Sequence, residues 1–300
     1  MAPPKRYYIR LTTAEPPAPS TDFDSADFVW SLIKLNSTYT GDCVRITDGV
    51  SSVDIGFTDG PSEEDEYLYF GDGLQWVDAA ALAASGLEDA DGHYHIEGIY
   101  DQNTGVYLSQ RDLSVTVDPI RLVLNSHVSE KPAIWFPGTG DNGLHDDSAT
   151  VSLDNFATGG ATVFTHMLNS GNPLGRRIWS KGASDYLAFV DYSTLQLGVD
   201  RATTDSLWTM AFGVPPFSET TEDTYCAITV KIDDTSASNT AEFDVNGEAW
   251  ENAVATISGS GMKSDNSASK FCWGAGASGA TDQALDGYAT TLAIWKDLIE

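Results

Sequence analysis

The stretch Ala241-Glu-Phe-Asp-Val-Asn-Gly-Glu-Ala-Trp250, read with the late run Tyr288-Ala-Thr-Thr-Leu-Ala-Ile-Trp-Lys-Asp297, decides the fold class of this chain. In the first, Phe243 and Val245 alternate with polar residues ahead of Asn246-Gly247. An Asn-Gly pair supplies the two positive-φ positions of the tight turn whose twist matches a hairpin's strands. In the second, apolar residues alternate and an aromatic closes the run, as in a strand with one face in a core. Working outward, short strands are expected at 115–117, 120–124, 133–136, 162–167, 177–180, 186–190, 195–199, 207–212, 224–232, 241–245, 270–273 and 290–295. Gly, Asp, Ser and Asn clusters separate them. A dozen short strands at such spacing predict an all-β sandwich.

Toward the N-terminus the signals change. Tyr7-Tyr-Ile-Arg-Leu-Thr12 reads as a strand, and Glu15-Pro-Pro-Ala-Pro-Ser20 as an extended linker behind it. This arm is expected to add to a neighbouring subunit's sheet edge. Phe28, Val29, Leu32, Ile33 and Leu35 recur at mixed helical spacing, which predicts a short helix over 24–36 capped by Asp24 or Ser25. Cys43-Val-Arg-Ile46 and Val53-Asp-Ile-Gly-Phe57 alternate as two strands, and 60–73 is an acidic loop. The alanine-rich segment 78–85 is a helix with Asp78 as N-cap and Gly86 as its stop. Tyr94-His-Ile-Glu-Gly-Ile-Tyr100 alternates as another strand. Three parts result: the arm (1–22), an N-terminal portion with short helices (23–115) and the main sandwich (116–300), the last two packed as one unit.

Charge narrows the partners. The 300 residues carry 44 carboxylates against 16 Lys plus Arg, a net charge of -28. Between Arg45 and Arg111 there are 14 carboxylates and no Lys or Arg. Such a field repels nucleic acid and anionic membrane. It also strains the folded state in dilute salt and is screened in brine, so a halophilic or marine setting is expected. Cys43, Cys226 and Cys272 form neither a disulfide framework nor a zinc motif; Cys226 and Cys272 either pair across the sandwich or stay as buried thiols. The basic start Met1-Ala-Pro-Pro-Lys-Arg6 has no apolar run behind it, so no secretory signal is expected, and no window is apolar enough to span a membrane. No nucleophile elbow, phosphate loop or dinucleotide fingerprint occurs.

Two resemblances add to this. The Asn-Gly hairpin and the run from Gly287 to Trp295 resemble the marker strands of concanavalin A-like and laminin G-like lectin domains, implying a jelly-roll sandwich that binds sugars or other surfaces. In the first half, the run Val29-Trp-Ser-Leu-Ile-Lys-Leu-Asn36, the alanine-rich helix, Ile96-Glu-Gly-Ile-Tyr-Asp-Gln-Asn-Thr-Gly105 and Lys131-Pro-Ala-Ile-Trp-Phe-Pro-Gly138 follow one another. In that order they resemble the fungal α-L-arabinofuranosidase B family, and more closely its non-enzymatic relatives in tailed-virus structural proteins. The enzymes carry a cysteine-rich acidic stretch where this chain has Gly143-Leu-His-Asp-Asp-Ser-Ala-Thr150, so no catalytic residue is carried over.

Candidate sites follow. Tyr100, Asp101, Trp135 and Trp179 are the candidate glycan-binding residues, and for Asp101 capping or bracing the turn after Tyr100 is favoured over catalysis. Asp141, Asp146 and Asp147 offer hard oxygens in one loop, as calcium prefers, without an EF-hand spacing. His93, His95 and Glu97 share a strand face and could ligate a metal, whereas His127, His145 and His166 have no partner by spacing. The expected function is a non-catalytic virion surface protein: a capsid decoration, turret or tail-fibre component. It would assemble in the host cytoplasm with other virion proteins, as a homo-oligomer, and bind host glycans. An arabinofuranosidase-like glycoside hydrolase is the alternative, and a free lectin-like module a third.

Overall fold

The computed structural model describes residues 23–59, 75–110, 119–124, 132–138, 142–146, 148, 151, 161–169, 176–181, 186–191, 194–199, 206–211, 226–233, 240–245, 248–249, 253–256, 270–275 and 284–296. The N-terminal arm, the acidic loop at 60–73, the strand expected at 115–117 and the Asn246-Gly247 pair lie outside these residues.

The first part contains β1 (Phe28–Ser31), β2 (Val44–Thr47), β3 (Ser52–Ile55), β4 (Phe57–Asp59), β5 (Gln75–Val77) and α1 (Ala79–Ser85). It continues through β6 (Tyr94–Tyr100), β7 (Tyr107–Gln110), β8 (Arg121–Val123), β9 (Ala133–Pro137) and β10 (Leu144–His145). Then follow β11 (Ala161–Asn169), β12 (Arg176–Lys181), β13 (Tyr186–Asp191), β14 (Thr194–Val199), β15 (Ser206–Ala211) and β16 (Cys226–Asp233). The last are β17 (Thr240–Val245), β18 (Glu248–Ala249), β19 (Ala253–Thr256), β20 (Phe271–Trp273) and β21 (Asp286–Trp295). The strands on either side of Asn246-Gly247 pair antiparallel, Val245 opposite Glu248, which is the register of the expected hairpin.

β21 organises the sheet. One edge pairs with β11 along its length, and the other meets β9 at its start and β1 at its end. From β11 the ladder runs to β16 and β17. From β9 it turns through β8 to β6. β6 pairs with β2 on one edge and with β8 then β7 on the other. From β7 it continues through β10, β20, β12, β13, β14 and β15 to β19. Every pairing is antiparallel, and the sheet curls over its own core as an all-β jelly-roll sandwich.

Aromatic side chains fill the space between the layers. Trp30 stacks on Phe28 at 5.4 Å and on Phe271 at 5.6 Å, and Phe271 in turn stacks on Trp179 at 6.5 Å. This column ties β1 to β20 and β12. Flat offset contacts of this kind add to the area that the rings bury.

Residues 24–36 are not a helix. A short 3-10 turn covers Phe23–Ser25, and β1 follows, buried at all four positions and paired with β21. Trp30 faces the main core, whereas Val29 packs on the opposite face against Phe23, Phe164, Ala293 and Trp295. A strand covered on both faces shows no alternation, and its apolar run passes for a helix. Asp24 caps nothing there and accepts from the N–H and hydroxyl of Ser37. The helix at Ala79–Ser85 forms as read, Asp78 accepting from Ala80 and Ala81 and Gly86 closing it at φ 70°.

β1 is held by the segment that follows β6. The buried Asp101 carboxylate accepts from the Val29 N–H, the Thr104 N–H and the Thr104 hydroxyl. The Gln102 side chain accepts from the Leu35 and Asn36 N–H groups at 2.8 and 3.0 Å. Its amide also donates to the carbonyls of Ser31 and Ile33. The Asn103 amide donates to the carbonyls of Phe23 and Ala26. Three consecutive side chains thereby satisfy backbone groups on residues 23–36 that no ladder reaches. Burial pushes the Asp101 carboxyl above the ordinary aspartate value, and its donors pull it back.

A second buried network lies at a bulge in β21. His166 pairs with Thr291 and Met167 with Ala289, so Thr290 is the extra residue. The His166 Nδ1 meets the Thr290 hydroxyl at 2.7 Å, and the Thr291 hydroxyl meets that of Ser31 at 2.8 Å. Burial lowers the His166 imidazole to about 3, so it is neutral at ordinary pH.

Two predictions follow from these networks. Asp101→Ala removes the acceptor from two main-chain N–H groups and should lower unfolding free energy by roughly 3 kcal/mol or more, read from denaturant midpoints. A change under 1 kcal/mol would mean the clamp is dispensable. For His166, the unfolded chain takes up a proton below the imidazole's usual 6.5 while the folded chain does not. The stability tied to a neutral His166 is therefore complete above that value and drains as pH falls toward about 3. From pH 7 to pH 5 it contributes about 2 kcal/mol. His166→Asn should remove that part of the acid sensitivity, shown by melting curves of the two proteins across this window.

Candidate functional site

The alternation that sends Tyr94, Ile96, Ile99, Leu122, Ile134 and Ala289 into the core sends their neighbours to the outer face of the sheet. Strand register sets these outer residues in rows. One row reads Tyr288, Trp135, Arg121, His95 and Thr47 across β21, β9, β8, β6 and β2. The next reads Asp54, Arg45, Gly98 and Ser109 across β3, β2, β6 and β7, and its register continues into the buried His145, Cys272 and Ser180 of β10, β20 and β12.

Two aromatic stations stand on this face. At the first, the Arg121 guanidinium lies 5.1 Å from the Trp135 ring centroid. Asp89 lies 3.7 Å from the Arg121 Nε, Asp91 lies 3.9 Å from its Nη1, and the His95 Nε2 is 3.4 Å from Asp89. Burial alone would raise the Asp89 carboxyl. Hydrogen bonds from the His93 and Asp91 N–H groups and the Arg121 charge outweigh it, and Asp89 sits below the usual value.

At the second station the Tyr100 and Tyr107 rings approach to 4.8 Å. The Tyr100 hydroxyl donates to Asp54 at 2.8 Å, and Arg45 bridges Asp54 at 3.2 Å and Glu97 at 3.3 Å. The Ser52 hydroxyl donates to Glu97. A Cβ on Gly98 would lie 2.3 Å from the Tyr107 Cζ, so the glycine is what lets that ring lie across β6. Burial raises both phenols, with the Asp54 hydrogen bond adding at Tyr100 and the Glu97 charge at Tyr107. Both therefore stay protonated and able to donate. Beside Tyr107 opens a cleft of about 310 Å³ lined by Thr104, Val106, Tyr107, Ser109, Asp146 and Ser148.

The residues singled out in the sequence fall in different places. Trp135 and Tyr100 are half-buried on the outer face. Trp179 is in the aromatic column, 1% exposed, and offers no face to a sugar. Its burial follows from the pairing of β12 with β20, which sequence spacing does not reveal. Asp101 belongs to the clamp and is closed to solvent. Of the three calcium candidates, Asp141 and Asp147 lie outside the described residues. Asp146 is buried and gives its oxygens to the N–H groups of Ser148 and Val151, bracing its own loop. Among the described residues no group of three or more His, Cys, Asp or Glu side chains is placed to hold a metal ion.

Some partnerships escape sequence spacing altogether. His145 lies 3.6 Å from the Cys272 sulfur, both wholly buried. Neither Cys43 nor Cys272 forms a disulfide, so Cys272 is not bridged to Cys226, and burial raises the Cys43 thiol. Arg45, Arg121 and Tyr107 were not among the expected site residues. The signal for Tyr107 was its alternation with Ser109 after Gly105. The arginines emerge from register alone.

No protein-family model matches the sequence, and no curated protein matches it. Solved structures do resemble the fold. A GH54 α-L-arabinofuranosidase variant soaked with 4-nitrophenyl α-L-arabinofuranoside superposes with a TM-score of 0.54 at 14% identity, over 92% of this chain and 60% of that one. The CBM40 of the Ruminococcus gnavus IT-sialidase, bound to α2,6 sialyllactose, gives 0.43 at 12% identity over 56% of this chain and 92% of that one. The receptor-binding domain of botulinum neurotoxin type G gives 0.44 at 8% identity over 67% and 46%. This chain thus spans 60% of the arabinofuranosidase's length. At such identities the likeness is one of fold, and the fold is a concanavalin A-like β-sandwich.

Proposed function

We propose that this chain is a surface component of a tailed-virus virion, a capsid decoration, turret or tail-fibre protein, and that it binds host glycans without cleaving them. The observation that carries the binding part is the outer face itself. It sets two half-exposed aromatic stations, Trp135 and the Tyr100–Tyr107 pair, among carboxylates fixed in place by Arg45 and Arg121. Flat rings pack against the apolar faces of sugars while ordered acceptors and donors take the hydroxyls. The virion part rests on the sequence resemblance of residues 28–140. The excess acid supports a host in brine, where its self-repulsion is screened.

The rival reading is a glycoside hydrolase on the same fold. Hydrolysis needs two carboxyls facing across one cleft, one of them protonated to act as the acid. Among the described carboxyls with a shifted titration, Asp101 is raised and Asp48 and Asp89 are lowered. Asp101 is sealed in the clamp and reaches no substrate. Asp54 and Glu97 are both engaged by Arg45.

Two outcomes are expected. Purified protein should leave 4-nitrophenyl α-L-arabinofuranoside and a glycan panel uncleaved while retaining some of those glycans on a column. Turnover abolished by one carboxylate substitution would replace this reading with the hydrolase. Melting temperature should climb steadily from low salt to several molar NaCl; a flat series would remove the brine argument.

A further inference from the structure

We infer that the ligand of the outer face is an uncharged oligosaccharide chain that bridges both aromatic stations, and not a single sugar or an acidic one. The inference rests on the glycan-binding reading and adds the ligand's length and charge.

Length comes from register. The Trp135 station lies in the row of His95, and the Tyr100–Tyr107 station stands at the far end of the same strand, β6. Five residues of strand separate His95 from Tyr100, roughly 16 Å at ~3.3 Å per residue. That span exceeds any monosaccharide ring. Between the stations the face presents His95, Glu97 and Arg45, with Ser52 and Asp54 beside them. Glu97, Arg45, Ser52 and Asp54 contact one another in one strip, and His95 pairs with Asp89 beside it. A chain running obliquely from Trp135 on β9, across β8, to the Tyr100–Tyr107 pair at the end of β6 would stack at each end and meet polar groups in between.

Charge comes from the partners. Arg45 is shared by Asp54 and Glu97, and Arg121 by Asp89, Asp91 and the Trp135 ring. A sialic or uronic acid would have to displace these carboxylates from the arginines, inside a molecule of net charge -28. A neutral chain meets neither cost. The Tyr100 hydroxyl, which donates to Asp54, belongs to the same uncharged hydrogen-bonding surface.

The test is titration calorimetry of the full chain with ladders of maltose-, cellulose-, xylan- and mannan-derived oligosaccharides from disaccharide to octasaccharide. Sialyllactose serves as the acidic comparator. For at least one ladder, affinity should rise with length and level off once the chain spans both stations. Trp135→Leu and Tyr100→Leu should each weaken the octasaccharide roughly fivefold to tenfold and leave the disaccharide of that ladder nearly unchanged at one station. Leucine keeps apolar volume, and a melting curve of each variant confirms that it is folded. Equal affinity for short and long chains, or a length dependence indifferent to both variants, would overturn the bridge. Tighter binding of sialyllactose than of every neutral chain would overturn the charge assignment while leaving glycan binding intact. Failure of every sugar to bind would remove the underlying reading and this inference with it.

Discussion

Asp101 and its two successors hold residues 23–36 in place, and much of the molecule depends on that hold. β1 closes one edge of β21, supplies Trp30 to the aromatic column, and carries Val29 to the opposite face. Yet it is four residues long, and several main-chain groups on it and beside it, among them the Val29, Leu35 and Asn36 amides, take side-chain partners. The Asp101 carboxylate, the Gln102 amide and the Asn103 amide satisfy those groups from a single turn. A buried main-chain group without a partner costs on the order of 1–3 kcal/mol, so the three side chains decide whether this edge is ordered. The Asn36 amide completes the contact by donating to the Gln102 carbonyl and the Asn103 side chain.

The same turn positions the outer face. Tyr100 precedes Asp101, and Tyr107 follows the loop that the clamp closes, with the Asp101 N–H donating to the Val106 carbonyl. The clamp, buried, and the aromatic pair, half-exposed, are therefore two sides of one short segment. This explains why two adjacent candidate glycan-binding residues part ways, Asp101 structural and Tyr100 surface-forming. It also ties any ligand-binding role of Tyr100 to the rigidity of its support.

Legibility in the sequence followed the physics of each signal. The hairpin around Asn246-Gly247, the helix capped by Asp78 and the strand at Tyr94–Tyr100 were readable because local rules dictate them. β1 was misread as helix because burial on both faces erases alternation, and short strands such as β10 and β4 carry too few residues to show a period. The stations were half legible. Trp135 and Tyr100 announced themselves by type, but Trp179, equally aromatic, belongs to the core. What separates them is which strand lies opposite, and the pairing that buries Trp179 joins it to Trp273, far along the chain. The encounter of His145 with Cys272 is set in the same way, whereas Arg121 meets Trp135 across the consecutive strands β8 and β9.

The outer face of β9, β8, β6 and β7 is the surface proposed to meet the ligand. A crystal structure of the full chain grown with a neutral octasaccharide addresses it most directly. The account predicts sugar rings stacked on Trp135 and against the Tyr100–Tyr107 pair, with hydroxyls near Glu97 and Asp54. Sugar ordered on another face, with both stations bare, would contradict it.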